Sequence, residues 1–446
     1  MRCGPLWLLL GALSVPGVAS GPAPFLAGGI QVHERDHARW TAALGEAGLN
    51  TVAVTVYAKQ GAWNRAHLWW EDEEPAVLAE IRAAKARGLL VVLILRVALD
   101  HAFAENEFLW HGMIMPESPE EIRAWFERYT EFVSKWAAIA EDEGVDLLGV
   151  GSEMNSLAAT LPLTRWGNLK NYRGYAWYQR LQRGRARRFA DELEPRRLWA
   201  RGYPNYATLD EFVNARFERS LAWARQAHLR QGAHTLRRIN DRRRLLEQCW
   251  IRLIGEARRS YDGPLTYAAN FDNYAEIGFW PHLDVLGING YFSLRASLAE
   301  AAEHEAQLAH FTRRWDGILG QIERFERSQG IANMPFLFTE LGYTFRRHST
   351  VEPWAHGGFS VVGWKGKRRQ LVVWEEQPID YDERRLALEG LRAAHRQRQS
   401  GLIGILYWKL STDPGHESIE PFVACVGRDS ADRLPQELSR FVSADR

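Results

Sequence analysis

The sequence lacks the features that mark several common protein classes. Only three cysteines occur in 446 residues, which excludes a small disulfide-held scaffold. There is no Asn-x-Ser/Thr sequon to indicate glycosylation. Lys and Arg number 56 against 55 Asp and Glu, so the total charge does not indicate a protein that binds nucleic acid or a membrane surface. Beyond the first twenty residues no apolar run is long enough to cross a bilayer, and we expect no membrane span.

The first twenty residues have the pattern of a secretory signal peptide. Arg2 precedes a short apolar run over residues 6–18, and the small residues Val18, Ala19 and Ser20 follow. We therefore expect cleavage after Ser20 and an exported protein, either periplasmic or fully secreted. The mature chain would keep Cys249 and Cys425, which either form one disulfide or remain two buried thiols.

Eight apolar runs alternate with amphipathic stretches along the rest of the chain. The runs cover residues 25–31, 51–57, 89–97, 145–151, 264–270, 283–289, 335–339 and 402–408. Their Val, Ile and Leu residues are nearly continuous, as in parallel strands buried on both faces. Eight strand–helix repeats predict a (β/α)8 barrel, forming a single domain over residues 21–446. An open doubly wound sheet is the alternative, but no dinucleotide-binding glycine motif supports it.

Two stretches are longer than a simple barrel needs. Residues 156–263 separate the fourth and fifth strands and hold 23 Lys and Arg against 10 Asp and Glu. This basic insertion either has a solvated surface or attracts an anionic glycan. Residues 356–378, after the seventh strand, predict a β-hairpin. Both stretches follow strands, so we expect both over the carboxyl face of the barrel, where barrel active sites lie.

Two carboxylates end buried strands and form the most informative pattern in the sequence. Glu153 follows the fourth run and Glu340 ends the seventh. Burying an unpaired carboxylate costs several kcal/mol, so packing alone does not explain the pair. Cleavage of a glycosidic bond does need two carboxyl groups facing one cleft. The competing interpretation is a structural ion pair between one glutamate and an arginine at the barrel top, such as Arg96.

Several local strings carry a resemblance to a known family. They are LDVLGINGYF over residues 283–292, PFLFTELGY over 335–343 and GILYWKLST over 404–412. With glutamates at strand ends four and seven, they resemble clan A of the glycoside hydrolases, and in particular family 113 with its endo-β-1,4-mannanases. The resemblance implies a retaining hydrolase without a metal or organic cofactor, and β-mannan as the default substrate.

The resemblance also implies roles for individual residues. Glu153 would be the general acid/base, Glu340 the nucleophile, and Tyr291 the residue that orients the nucleophile by a hydrogen bond. Trp408 would support the sugar at the cleavage site. In contrast to the wider clan, Ser152 rather than Asn precedes the acid/base. The acid/base role requires a protonated Glu153 and the nucleophile an ionised Glu340.

Further polar and aromatic residues are candidates for substrate binding. They are Tyr57, Arg96, Asn270, Asp272, Asn289 and Tyr343. Several have a second interpretation: Tyr57, Asn270 and Asp272 equally suit backbone hydrogen bonding at the barrel top, and Arg96 either orients Glu340 or balances charge. The loop tryptophans Trp63, Trp69 and Trp70 either form an outer sugar platform or pack against helices.

Taken together, the sequence predicts a hydrolase of β-linked polysaccharide or oligosaccharide. A transglycosylase, a hydrolase of anionic glycans and a non-catalytic glycan-binding barrel are the alternatives. We expect no metal, no nucleic-acid partner and no organic cofactor. The sequence gives no oligomeric state.

Overall fold

A computed structural model describes most of the chain from residue 24 onward. The described residues are 24–164, 179–181, 183–184, 186–195, 197, 203–227, 235–296, 304–354, 360–362, 371–373, 377–427 and 430–443. The predicted signal peptide and parts of the two long stretches, 156–263 and 356–378, lie outside these residues.

The described residues contain twelve strands. They are β1 (Leu26–Gln31), β2 (Thr51–Gln60), β3 (Leu68–Trp70), β4 (Leu90–Leu99), β5 (Leu147–Ser152), β6 (Leu265–Asn270), β7 (Val285–Asn289), β8 (Phe336–Leu341), β9 (Ser360–Val362), β10 (Leu371–Val373), β11 (Leu402–Ser411) and β12 (Ala424–Cys425).

Eight of these strands close into a parallel barrel. The order around the barrel is β1, β2, β4, β5, β6, β7, β8 and β11, and β1 pairs with both β2 and β11. This closure confirms the predicted (β/α)8 barrel and excludes the open doubly wound sheet. The short strand β3 pairs antiparallel with the end of β2, and β12 pairs with the end of β11. Strands β9 and β10 form a separate antiparallel pair.

Ten α-helices accompany the strands within the described residues. They are α1 (His37–Glu46), α2 (Glu74–Ala86), α3 (Pro119–Asp142), α4 (Asn155–Ala158), α5 (Ala190–Leu193), α6 (Leu209–Ala227), α7 (Thr235–Ser260), α8 (His304–Ser328), α9 (Tyr381–Arg398) and α10 (Leu434–Val442). Helix α3 begins as its sequence indicates, because the Ser118 hydroxyl accepts a hydrogen bond from the Glu121 N–H at 3.2 Å and Pro119 fills the first turn.

The apolar residues form two main layers, as a closed barrel requires. A small cluster fills the barrel interior and consists of Ile30, Ala53, Val92, Ile94, Leu147, Ala268, Val285, Leu337 and Leu406. A much larger cluster packs the outer faces of the strands against the helices. Because both faces of each strand are buried, the strand sequences are nearly continuous apolar runs. Polar residues occur at the strand ends, where barrel active sites lie.

The basic stretch between β5 and β6 contributes to the barrel wall and to the loop after β4. Helix α7 packs on α3, where Trp250 lies edge-on to Phe126. Helix α6 reaches the loop after β4, because the indole N–H of Trp223 donates to the carbonyl of Met113 at 2.8 Å. Tyr203 stacks on Phe108 of the same loop, with ring centroids 4.7 Å apart. The loop after β4 is thus supported from the neighbouring stretch.

Both cysteines of the described chain are free and buried. Of the two alternatives left open by the sequence, the structure therefore has two buried thiols. No helix within the described residues is both long and apolar enough to cross a membrane.

Candidate active site

Two glutamates lie at the carboxyl end of the barrel. Glu340 belongs to β8 and is 3% exposed, and Glu153 directly follows β5 and is 8% exposed. The backbone of Glu153 has a φ of 52°, a left-handed conformation that is uncommon for a residue with a side chain. Its N–H donates to the carbonyl of Ala268 on β6 at 2.9 Å, which fixes this turn. Strained backbone of this kind is typical of functional sites.

Arg96, on β4, brings the two carboxylates together. Its Nη2 lies 2.6 Å from Oε1 of Glu340 and 3.7 Å from Oε2 of Glu153, so these two oxygens are at most 6.3 Å apart. The arginine side chain is almost fully buried. One cation therefore contacts both acids of the cleft. Of the two interpretations of Arg96, orientation of Glu340 has direct geometric support.

The hydroxyl of Tyr291 donates to Oε2 of Glu340 at 2.7 Å. Burial raises the pKa of Tyr291 well above its ordinary value, and the negative charges of Glu340 and Glu153 raise it further, so the hydroxyl keeps its proton. Arg96 and Tyr291 thus hold the two oxygens of Glu340 in place from opposite sides of the carboxylate group.

The two glutamates differ in the direction of their pKa shifts. Burial raises the pKa of Glu340, and the nearby charge of Glu153 adds to this, while Arg96 and Tyr291 oppose it. Burial also acts to raise the pKa of Glu153, but the hydrogen bond and positive charge of His111, together with Arg96 and Asn289, hold it below its ordinary value. These directions apply with His111 charged, and they are the reverse of the order that the acid/base and nucleophile roles require.

His111 is the site residue that the sequence did not reveal. It begins a short 3-10 helix (His111–Met113) in the loop after β4, and its Nε2 lies 3.0 Å from Oε2 of Glu153. A lone histidine in an irregular loop has no periodicity or motif around it, and only the folded chain brings it to β5.

Asn289 connects the ends of β5, β7 and β8. Its side-chain Nδ2 donates to the Ser152 hydroxyl at 3.4 Å, and its side-chain Oδ1 accepts a hydrogen bond from the Thr339 hydroxyl at 2.7 Å. Asn289 also acts to lower the pKa of Glu153. This predicted substrate-binding residue is fully buried.

Trp408, on β11, lies beside two positive charges. The guanidinium carbon of Arg96 is 4.9 Å from the centre of its ring, and the ammonium of Lys409 is 4.1 Å away. The same guanidinium is 5.9 Å from the ring of Tyr57, another predicted binding residue. Trp408 and Tyr57 therefore line the Arg96 side of the cleft.

Asp272 and Asn155 lie on the Glu153 side of the cleft. The amide of Asn155 donates to Oδ1 of Asp272 at 3.3 Å. Burial raises the pKa of Asp272, and the charge of Glu153 raises it further. The side-chain oxygens of Asn155 and Asn270 are buried and have no hydrogen-bond partner within the described part of the chain. Substrate hydroxyls are suitable donors for such oxygens.

Four of the predicted aromatic residues lie elsewhere. Tyr343 is buried in the core, where its hydroxyl donates to the carbonyl of Phe292 at 3.0 Å, so its prediction as a substrate-binding residue is not supported. Trp63 is buried, Trp70 packs against Phe132, and Trp69 lies against His67. Of the two interpretations of these tryptophans, packing fits the positions of Trp63 and Trp70. Trp69 is half-buried on β3, beside His67 and Phe103.

The described residues contain no group of three or more His, Cys, Asp or Glu side chains that could hold a metal ion. The cleft contains the carboxyl groups of Glu153, Glu340 and Asp272, the hydroxyl of Tyr291, the imidazole of His111 and the cations of Arg96 and Lys409.

Comparison with known proteins places the chain in one family. The model of Glycoside Hydrolase Family 113 matches residues 32–178 and 237–370. Among solved structures, the chain is similar to the GH113 beta-mannanase AaManA from Alicyclobacillus acidocaldarius in complex with ManMIm, with 17% identity and a TM-score of 0.57 over 95% of this chain and 99% of that one.

A second solved structure, described as a GH113 beta-1,4-mannanase, has 17% identity and a TM-score of 0.57 over 95% of this chain and 100% of that one. At this identity the structures establish the shared fold. A comparison with curated proteins gave no match. The family model covers well over half of the chain, so the chain belongs to glycoside hydrolase family 113.

Proposed function

We propose that this glycoside hydrolase cleaves β-linked polysaccharide or oligosaccharide with retention of configuration, through a covalent intermediate on Glu340. The contact of one Arg96 nitrogen with both carboxylates, which keeps one oxygen of each within 6.3 Å of the other, supports this proposal most strongly. Retaining enzymes hold their carboxyl groups about 5 Å apart, whereas inverting enzymes leave about 6.5–9.5 Å for a water molecule.

In the first step, an oxygen of Glu340 attacks the anomeric carbon and the bond to the leaving oxygen breaks. The carboxyl proton of Glu153 moves to that oxygen, so the departing sugar leaves as an alcohol. In the second step, Glu153 takes a proton from water, whose oxygen attacks the anomeric carbon and releases Glu340. Arg96 and Tyr291 stabilise the negative charge that Glu340 carries before the first step and after the second.

The proton must rest on Glu153 when the reaction starts, and the hydrogen bond and charge of His111 oppose this. When His111 is neutral, its charge no longer lowers the pKa of Glu153, and burial then favours the protonated acid. Arg96 is closer to Glu340 than to Glu153, so the remaining cation favours ionisation of the nucleophile. Loss of the positive charge of His111 therefore favours the protonated form of Glu153.

As the substrate we propose a β-1,4-linked, manno-configured glycan. The family match supports this, as does the similarity to proteins described as beta-mannanases. We further propose that the leader over residues 1–20 directs export to the periplasm or the medium. Amino-terminal sequencing of protein recovered outside the cytoplasm should then begin at Gly21.

The test is product analysis on a panel of β-mannan, glucomannan, xylan, β-glucan and acidic polysaccharides. We expect new reducing ends from at least one glycan, release of the β-anomer first by NMR, and loss of activity in Glu340→Gln. Release of the α-anomer first would exclude Glu340 as the nucleophile. A folded protein that binds a glycan equally well before and after Glu340→Gln, with no turnover, would instead favour a non-catalytic binding barrel.

A further inference from the structure

The cleft contains a positive charge for which the described protein provides no partner. Lys409 follows Trp408 on β11, and its ammonium lies 4.1 Å from the centre of the indole. Among the described residues, no side chain or carbonyl forms a hydrogen bond or ion pair with it. The lysine is half-buried, so this ammonium has lost part of its water without gaining an acceptor.

A second donor beside the same indole is also unsatisfied. The guanidinium carbon of Arg96 lies 4.9 Å from the centre of the Trp408 ring, and its Nη2 contacts the carboxylates of both glutamates. Its Nη1 is buried and has no hydrogen-bond partner among the residues that the structure describes. Two neighbouring cations are thus incompletely compensated, and both lie on the side of the cleft that holds Glu340.

The pKa of Lys409 reflects this surplus of positive charge. Burial lowers the pKa, and the charge of Arg96 lowers it further, while Glu420 and Glu340 act in the opposite direction without forming an ion pair with it. Glu420 accepts a hydrogen bond from the N–H of Phe422 at 3.2 Å. A negative group on the substrate would attract Lys409, and this attraction would offset both the cost of removing the ammonium from water and its repulsion by Arg96.

The protonation state required for catalysis increases the surplus. Glu153 must carry a proton before the reaction starts, which leaves Glu340 as the one carboxylate in contact with Arg96. Arg96 and Lys409 together then carry one more positive charge than the nucleophile balances. A neutral sugar leaves that charge uncompensated, whereas a sugar with one carboxylate matches it.

We propose that Lys409 binds a carboxylate on the sugar in the cleavage site, so that the preferred substrate is a uronic-acid glycan. This rests on the proposed function, and it changes the substrate from the neutral sugar to its acidic counterpart. With the manno configuration of the family kept, that counterpart is a β-1,4-linked mannuronate chain. The ammonium of Lys409 donates a charge-assisted hydrogen bond to the carboxylate, and the positive charge of Arg96 adds electrostatic attraction.

The test compares two tetramers that differ only in the substituent at C5. β-1,4-Mannotetraose carries a hydroxymethyl group there, and the β-1,4-mannuronate tetramer a carboxylate. For the wild type we expect kcat/KM to be about tenfold or more higher for the mannuronate, and to fall with added salt for that substrate alone. In Lys409→Met, KM for the mannuronate should rise about tenfold or more, and the preference should be lost.

Lys135→Met is the matched control, because Lys135 lies on α3 and pairs with Glu74 on the outside of the barrel. The same loss of charge there should leave both substrates unaffected. Two results would overturn the inference: equal turnover of the two tetramers by the wild type, or an equal loss on both in Lys409→Met. The second result would assign Lys409 to a sugar hydroxyl.

A binding experiment separates this inference from the proposed function. If neither tetramer is cleaved, calorimetry on Glu153→Gln, which keeps the contact between Glu340 and Arg96, measures affinity directly. Tighter binding of the mannuronate that disappears in the double variant with Lys409→Met would support the carboxylate site and contradict hydrolysis. Absence of any such preference would refute the carboxylate site.

Discussion

Replacing Tyr291 by Phe tests how the nucleophile is held. The change removes only the hydroxyl that donates to Oε2 of Glu340 at 2.7 Å, in a buried site. A hydrogen bond to a charged group contributes about 1.5–3 kcal/mol. If the bond stabilises the ionised nucleophile, its loss should lower kcat/KM by about 10- to 150-fold, because each 1.4 kcal/mol is a factor of ten. The acidic limb of the pH profile should also move to higher pH.

Tyr343→Phe is the matched control for this experiment. It removes the same atom from another buried tyrosine, whose hydroxyl donates to a backbone carbonyl in the core at 3.0 Å. We expect this variant to unfold at a lower temperature, with an unchanged pH profile. Steady-state kinetics across the pH range and thermal unfolding of both variants give the comparison. Equal losses of kcat/KM, or a loss below about twofold in Tyr291→Phe, would refute the reasoning.

Three further predictions concern acidity and backbone packing. His111→Gln keeps a hydrogen-bond donor near Glu153 but removes the positive charge that lowers the pKa of Glu153, so the basic limb of the kcat/KM profile should move to higher pH. An unchanged basic limb would show that His111 does not set the acidity of Glu153. Burial raises the pKa of Glu80 from 4.5 to about 7, so ionisation increasingly destabilises the fold as pH rises from 4.5 through 7. Glu80→Gln should therefore raise Tm at about pH 8 and have little effect near pH 4, and a larger gain at low pH would contradict this. Gly28→Ala should prevent folding, because the added Cβ would lie 1.7 Å from a backbone carbonyl oxygen of β2. Gly255→Ala, on α7 with open space around it, should instead raise the free energy of unfolding by about 1 kcal/mol, measured by chemical denaturation. Equal effects of the two substitutions would refute the packing argument.

The barrel was predictable because its signal is local. Each predicted strand begins within two residues of the observed one, since a strand buried on both faces must be apolar at every position. Glu153 and Glu340 stood out for the same reason, as acids at the ends of apolar runs. The direction of each strand then placed both acids at one end of the barrel.

The rest depended on contacts between distant segments. His111 reaches Glu153 only because the loop after β4 folds back over β5, and nothing in its neighbouring residues indicates this. Tyr343 lies three residues after Glu340, yet the chain turns between them and directs the tyrosine into the core. The relative acidity of the two glutamates was also beyond sequence reasoning, because it is set by a histidine charge from another loop.

The support of the loop after β4 by α6 connects the basic stretch between β5 and β6 to the acidity of Glu153. The indole of Trp223 holds Met113, two residues from His111, in place. A shift of α6 that moved Met113 would therefore act on the contact between His111 and Glu153. Substitutions at the contact between α6 and this loop are thus expected to change the pKa of Glu153 from a part of the chain far from both glutamates in sequence.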